Sequence, residues 1–302
     1  MNKKTLLILA LIVVVLAAII GGMRWRKGRE GGSGNANNMS KAFRSIDSLQ
    51  VGEIEIKKGE SAVTLVQQEG VWRIDGRQAD ADMVQEALDA LRTSGYEGPI
   101  SRNPDNFERL GVGSQGMLVS LHIHDTRFAL SVGNNGPTYR SSYVKLEDNN
   151  EVYLANVNLS LVFPLLADSW RNRTIMDIDP AALATITYRT QGATIKTYRK
   201  DGEEWTVNTG ASTAPADDAE MQTLFDAVHP LKAKGFIDSD KDQAIFMQEA
   251  TKGTIISFKG VSEADLGEVT FIKKQNEWWV RAKGNDEIFT LSDAAAKSLA
   301  IP

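Results

Sequence analysis

The chain contains no cysteine. Disulfides, thiolate nucleophiles and cysteine-type zinc sites are thereby excluded, and the redox compartment stays open, because a chain without thiols is indifferent to it. Histidine is scarce, with three in 302 residues, so imidazole chemistry has few places to sit. Long basic runs are absent and the net charge is −5. Nucleic-acid affinity rests on neutralising phosphates with Lys and Arg, so this balance argues against a nucleic-acid partner. No G-x-S-x-G nucleophile elbow occurs, and no Ser-His-Asp arrangement can be nominated. The expectation is a non-enzymatic protein with no catalytic residues and no cofactor.

What the chain does have is an apolar start. Lys3 and Lys4 precede an unbroken apolar run from Leu6 to Ile20. With Thr5, Gly21, Gly22 and Met23 the stretch reaches roughly 28 Å as a helix, close to a bilayer core of about 30 Å. Residues 1–23 are therefore expected to form a transmembrane anchor. Lys3, Lys4, Arg24, Trp25 and Arg26 suit the membrane interface on either side of it. The h-region of a cleaved signal peptide is the rival reading, although no clean A-x-A site follows. Taken alone, the charge count across the span favours a cytoplasmic body. Residues 24–45, rich in Gly, Asn and Ser, read as a flexible tether.

From Ile46 the chain reads twice. "IDSLQVGEIEI" at 46–56 matches "IDPAALATITY" at 178–188, and Trp72 and Trp205 stand 133 positions apart. Ala79-Asp80 corresponds to Ala216-Asp217, and "YVKLEDNNEVYLA" (143–155) to "WVRAKGNDEIFTL" (279–291). The offset drifts only inside turns, as expected for two tandem copies of one small domain, here 46–169 and 170–302. Each copy opens with alternating segments that read as a strand meander, with a tight turn expected at Lys58-Gly59. One amphipathic helix follows, carrying Met83, Val84, Ala87, Leu88 and Leu91 in the first copy. In the second it carries Met221, Leu224, Phe225 and Val228. "DMVQ" and "DDAE" offer capping boxes at the helix starts. More short-linked strands and a short closing helix complete each copy. The expected class is α+β: an N-terminal transmembrane helix, then two strand-rich domains with mostly antiparallel sheets.

The order W-x-I, polar turn, "ADADMVQEALDAL", "FERLGV", then "FALSVGN" and "YVKLEDNNEVYLA" resembles the bacterial family called domain of unknown function 4340. The resemblance covers most of residues 46–300 and is clearer in the first copy. Where that family has a Tyr-Gly-Leu-like turn followed by proline, this chain has Leu110-Gly111-Val112, without the aromatic or the proline. The resemblance implies an envelope protein in the cytoplasmic (inner) membrane, single-pass, with its body on the extracytoplasmic side. It also implies envelope proteins or ABC-type transport subunits as partners.

Four features invite a site. "GVGSQG" (Gly111, Gly113, Gly116) matches G-x-G-x-x-G literally, but helix precedes it and strand follows, the reverse of a dinucleotide turn, so it reads as a flexible loop. His122 and His124 fall on one strand face by alternation and are the weak candidates for a metal. Trp278 and Trp279 are adjacent, so only one is expected in the core. The repeat matches Trp279 to Tyr143, which leaves Trp278 as an outward partner contact or, alternatively, a stacking platform for a glycan or peptide, the plainer reading being that it packs under the helix or against the other copy. Arg171 and Arg173, between the copies, are candidate contacts to an anionic partner or to the domains themselves.

Overall fold

The computed structural model describes residues 40–41 and 43–301. The expected anchor at 1–23, with Lys3 and Lys4, lies outside the described residues, as do Arg24, Trp25, Arg26 and most of the tether. Among the described residues no helix is long and apolar enough to cross a membrane. The end of the expected tether is folded: Phe43 is buried, with its ring 4.8 Å from that of Tyr96 and 5.0 Å from that of Phe128. An aromatic ring in a Gly/Asn/Ser-rich stretch is too apolar to stay in water when a core lies within reach.

The chain is a strand-rich α+β protein built as two compact units, one ending at Asn172 and the other beginning at Arg173. The first unit has nine strands: β1 (Val51–Lys58), β2 (Ser61–Gln68), β3 (Val71–Ile74), β4 (Arg77–Gln78), β5 (Tyr96–Ser101), β6 (Met117–Ile123), β7 (Thr126–Asn135), β8 (Ser142–Leu146) and β9 (Val152–Ala155). They form one sheet in the order β4-β3-β2-β1-β6-β7-β8-β9-β5.

In the second unit, β10 (Thr174–Met176) pairs with β15 (Leu231–Lys232) in a small separate ribbon. The main sheet there uses β11 (Leu183–Thr190), β12 (Ala193–Asp201), β13 (Glu204–Asn208), β14 (Thr213–Pro215), β16 (Gly235–Phe236), β17 (Thr254–Gly260), β18 (Asp265–Lys274), β19 (Glu277–Ala282) and β20 (Phe289–Leu291). Its order, β14-β13-β12-β11-β17-β18-β19-β20-β16, repeats that of the first sheet strand for strand. Every pairing among the described strands is antiparallel.

Turn chemistry sets the meander. Glu69-Gly70, Asp75-Gly76 and Gln191-Gly192 each place two successive residues at positive φ, the geometry of two-residue hairpin turns that match the strand twist. Lys58 remains in its strand opposite Ser61, so the first turn is Gly59-Glu60, one residue beyond the expected position.

The repeated Trp…Ala-Asp string now has a structural cause. The Trp72 carbonyl accepts the Ala79 N–H at 2.8 Å, which closes the turn, and Asp80 caps helix Ala81–Thr93 by accepting from Asp82 and Met83. In the second unit Trp205 accepts from Ala216 at 2.8 Å, and Asp217 caps helix Asp218–Val228 through the Glu220 N–H. The first cap is thus Asp80, not the expected Asp82, and Gln85 bonds to Asp89 and Ser48 instead of completing a box. Both helices lay their apolar stripe on one sheet face: Val84, Ala87, Leu88 and Leu91 in one, Met221, Leu224 and Val228 in the other.

The opposite sheet faces differ. In the first unit Leu110, Val112 and Val152 form a small reverse-face cluster, with Phe107 and Tyr143 packed against it, beside the short helix Phe107–Leu110. In the second unit helix Asp240–Glu249 covers that face with Phe246 against Ile272, Trp279 and Ile288. The sequence gives little sign of this helix. Ile245, Phe246 and Met247 are contiguous rather than spaced by turns, and only Phe246 is buried.

Candidate functional site

The β18–β19 hairpin gathers the second unit's most site-like chemistry. Trp278 and Trp279 leave β19 on opposite faces, as alternation requires, and each is only 8% exposed. Trp278 joins the main core, and its Nε1 donates to Asp293 Oδ1 at 3.0 Å. Trp279 packs under Phe246, and its Nε1 donates to Glu277 Oε1 at 3.0 Å.

The expectation of an outward Trp278 is therefore corrected. The register to the first copy is right, but the face is reversed. Ser142, the counterpart of Trp278, points into the first core with no exposure, and Tyr143, the counterpart of Trp279, lies on the reverse face. An aromatic residue was the wrong marker for the inner face, because the second unit covers both faces. Trp278 offers no free ring face for stacking a sugar.

Each indole carries a lysine. Lys273 Nζ lies 5.2 Å from the Trp278 ring centroid, and Lys274 Nζ lies 5.7 Å from that of Trp279. Such pairs are worth about 0.5–1 kcal/mol at exposed positions. A cleft of about 390 Å³ beside Trp278 is lined by Glu249, Lys252, Gly253 and Lys273 among others. A second of about 420 Å³ beside Trp279 is lined by Asp242, Lys274, Asn276 and Glu277 among others. The hairpin tip, with Gln275 and Asn276 exposed, stands between them. Lysines, carboxylates, amides and indole edges in open clefts suit polar contact with a protein or peptide surface. The two lysines and Asn276 were missed in the sequence. Alternation of "KKQNEWW" across a tight turn was the signal that could have placed them.

A second cluster ties helix Asp218–Val228 to its sheet. Lys196 Nζ donates to Tyr198 Oη at 2.6 Å and to Glu220 Oε1 at 3.1 Å, and Tyr198 Oη donates to the same Glu220 oxygen at 2.6 Å. Burial, then the Glu220 carboxylate, pushes the Tyr198 hydroxyl far up, so it stays a neutral donor. The hydrogen bond from Tyr198 holds Glu220 below the usual carboxylate range, against some desolvation and with help from Lys196.

A depressed folded pKa means stability that is present above the unfolded pKa and is lost as pH falls through the folded one. Glu220→Gln is therefore expected to cost about 1 kcal/mol at pH 7, since its side chain is 41% exposed. The gap to the native chain should close as the pH drops below the ordinary carboxylate range. Urea melts from pH 7 to 3 check this, and a gap independent of pH would rule it out.

The remaining sequence candidates are dispersed. His122 is at the end of β6, 3.9 Å from Glu53. His124 is not on that strand. It begins the β6–β7 turn at φ 50° and is exposed, because the strand stops at Ile123. The shared metal face is thus contradicted, and among the described residues no group of three His, Asp or Glu side chains could hold a metal ion.

Arg171 is 6% exposed and pairs with Asp168 at 3.1 Å, inside the first unit. Arg173 donates to the Lys234 carbonyl and lies over the Phe236 ring, inside the second. Each of these contacts is made within the arginine's own unit, which agrees with the reading as contacts to the domains themselves.

The glycine loop is closely packed at its glycines. Gly111 caps a helix at φ 74°, and Ser114 N–H donates to Glu108 Oε1 at 2.8 Å. A Cβ on Gly116 would stand 2.2 Å from Ser131 Oγ.

A model of the family described as Domain of unknown function (DUF4340) matches residues 72–248, from the first tryptophan motif into the helix that covers the second sheet. No curated protein and no solved structure matches the chain. The family match spans more than half of the 302 residues, and the chain belongs to the DUF4340 family.

Proposed function

We propose that the protein is a membrane-tethered, non-enzymatic binding or scaffold module of the bacterial envelope, accessory to a transport system. The apolar run at residues 6–20 supplies the anchor, and the two strand-rich units are the body on the extracytoplasmic side. One observation supports the binding reading above the others. The β18–β19 hairpin presents an exposed tip between two clefts whose floors are rigid indoles and whose rims are lysines and carboxylates. A rigid buried floor with an adaptable polar rim is how protein-binding surfaces are built. Tethering then raises the local concentration of the module at its partner.

The test is a photo-crosslinker at Asn276, an exposed tip residue, in the full-length protein in its native membrane. Permease subunits, which expose surface on the extracytoplasmic side, should be captured at Asn276 and not from a probe at exposed Glu60, in the first unit. Capture that is equal at both positions, or the absence of any transport subunit, would overturn the scaffold reading.

A further inference from the structure

The two units differ at one sheet edge. In the first unit the chain returns after helix Ala167–Trp170 and covers the outer side of β4. Asn172 N–H donates to the Gln78 carbonyl at 2.9 Å, Asp80 N–H donates to the Trp170 carbonyl at 2.7 Å, and Ala79 and Arg171 form an antiparallel bridge. Trp170 is fully buried and shares the core with Trp72, Ile74, Ala79 and Leu88, all of them buried as well.

In the second unit the counterparts of those four are Trp205, Val207, Ala216 and Phe225. All four are partly exposed, although Trp205 and Phe225 still touch, with centroids 5.6 Å apart. The neighbouring residues Thr213–Pro215 and Asp217 are exposed. Among the described residues no backbone pairs with its outer side.

The two groups that make the pairing in the first unit are preserved. Pro215 stands for Gln78 and keeps the carbonyl acceptor, since proline lacks only the N–H. Asp217 stands for Asp80 and keeps the N–H donor. A capping box would occupy that N–H with the Glu220 carboxylate, but Glu220 turns to Lys196 and Tyr198 instead. An acceptor, a donor and an apolar floor for one large aromatic ring are thus in place.

The rim places its acidic residues differently from the first unit, where Glu69 and Asp82 are the exposed carboxylates at the neighbouring positions. Glu203, Glu204 and Asp218, all exposed, stand where the first unit has Gly70, Val71 and Ala81.

We propose that this edge of the second unit accepts an extended segment of another protein, in which tryptophan is followed by a basic residue, added as a strand. The chemistry follows from the Trp170-Arg171 strand that fills the matching edge in the first unit, and from the acidic rim. The proposal rests on the binding reading above but uses a different surface, so the Asn276 crosslink can fail while this edge binds, and the reverse.

The probe is a labelled synthetic peptide with the sequence of residues 167–173, titrated against the full chain in detergent by fluorescence anisotropy. Saturable binding with Kd at or below about 100 µM is expected. Alanine in place of the peptide's tryptophan should weaken it about 10-fold or more. The Asp217 amide should exchange more slowly when the peptide is present. A double variant, Glu204→Lys with Asp218→Lys, changes only exposed side chains and should weaken binding about 5-fold or more without altering the fold.

The absence of binding to folded protein would overturn the proposal, as would binding indifferent to the peptide's tryptophan, or protection that bypasses Asp217. The chain itself holds two other Trp-Arg pairs, Trp72-Arg73 within β3, where Trp72 is buried, and Trp25-Arg26. If Trp25→Ala in the full chain tightens peptide binding about 10-fold, the chain's own segment occupies the edge, and the separate partner is overturned.

Discussion

Replacing Trp170 by alanine is expected to destabilise the first unit by about 3–5 kcal/mol, the range for deleting a large buried aromatic side chain. The indole is fully buried, its ring lies 6.3 Å from that of Phe163, and its N–H donates to the Pro164 carbonyl at 2.9 Å. Its removal leaves that carbonyl without its donor and opens a cavity in a core that also holds Trp72 and Ala79. Its backbone carbonyl, which accepts from Asp80, is retained, so the loss is one of packing rather than of strand pairing. Hydrogen exchange under increasing urea, read over residues 43–172, localises the effect. Protection of β1 and β6 should fall by the full amount, while exchange in β17–β19 stays unchanged. A loss below about 1 kcal/mol would mean that the indole is peripheral, and the contrast between the two sheet edges would lose its basis.

The repeat was the legible part of this fold. Two strings built around Trp72 and Trp205 sit at equivalent places because each marks the same junction: a strand carbonyl closing onto an alanine N–H, then an aspartate cap. Backbone junctions of this kind need particular residues at fixed spacing, so they survive in sequence as strings. The helix faces were legible for a similar reason, since their apolar period is 3.6.

What could not be read was which side of a strand is covered, and by what. Strand alternation separates two faces but does not name the inner one. Trp278 and Trp279 were sorted on the assumption that Tyr143 faces the core, but Tyr143 lies on the reverse face, and helix Asp240–Glu249 covers that face in the second unit, so both indoles are buried. His124 failed at a boundary: one residue past the end of β6, alternation no longer applies. The open edge at Trp205 and Phe225 was invisible for a different reason. Nothing in "WTVN" or "TLFDAV" shows that the covering strand of the first unit has no described counterpart in the second.

Trp278→Ala is the substitution on which the two readings of the hairpin diverge most. As an exposed contact residue its loss would change stability by about 0.5 kcal/mol or less. As a buried residue it should cost the second unit about 3–5 kcal/mol. The indole fills the core beside Phe271 and Val280, and its N–H holds Asp293 Oδ1 at the start of the closing helix Asp293–Ser298. Trp278→Phe separates these contributions. It keeps most of the ring volume and removes the N–H, so about 1 kcal/mol should be lost, with faster exchange confined to residues 293–299. The same measurements bear on function. If Trp278→Phe preserves the fold and also preserves crosslinking from Asn276, the indole is a floor and the partner is read by the rim. In that case Lys273→Glu, at an exposed lysine over the same ring, should abolish crosslinking with little change in stability. A Trp278→Ala protein as stable as the native chain would instead return the ring to the surface and remove the rigid floor on which the binding reading of this hairpin stands.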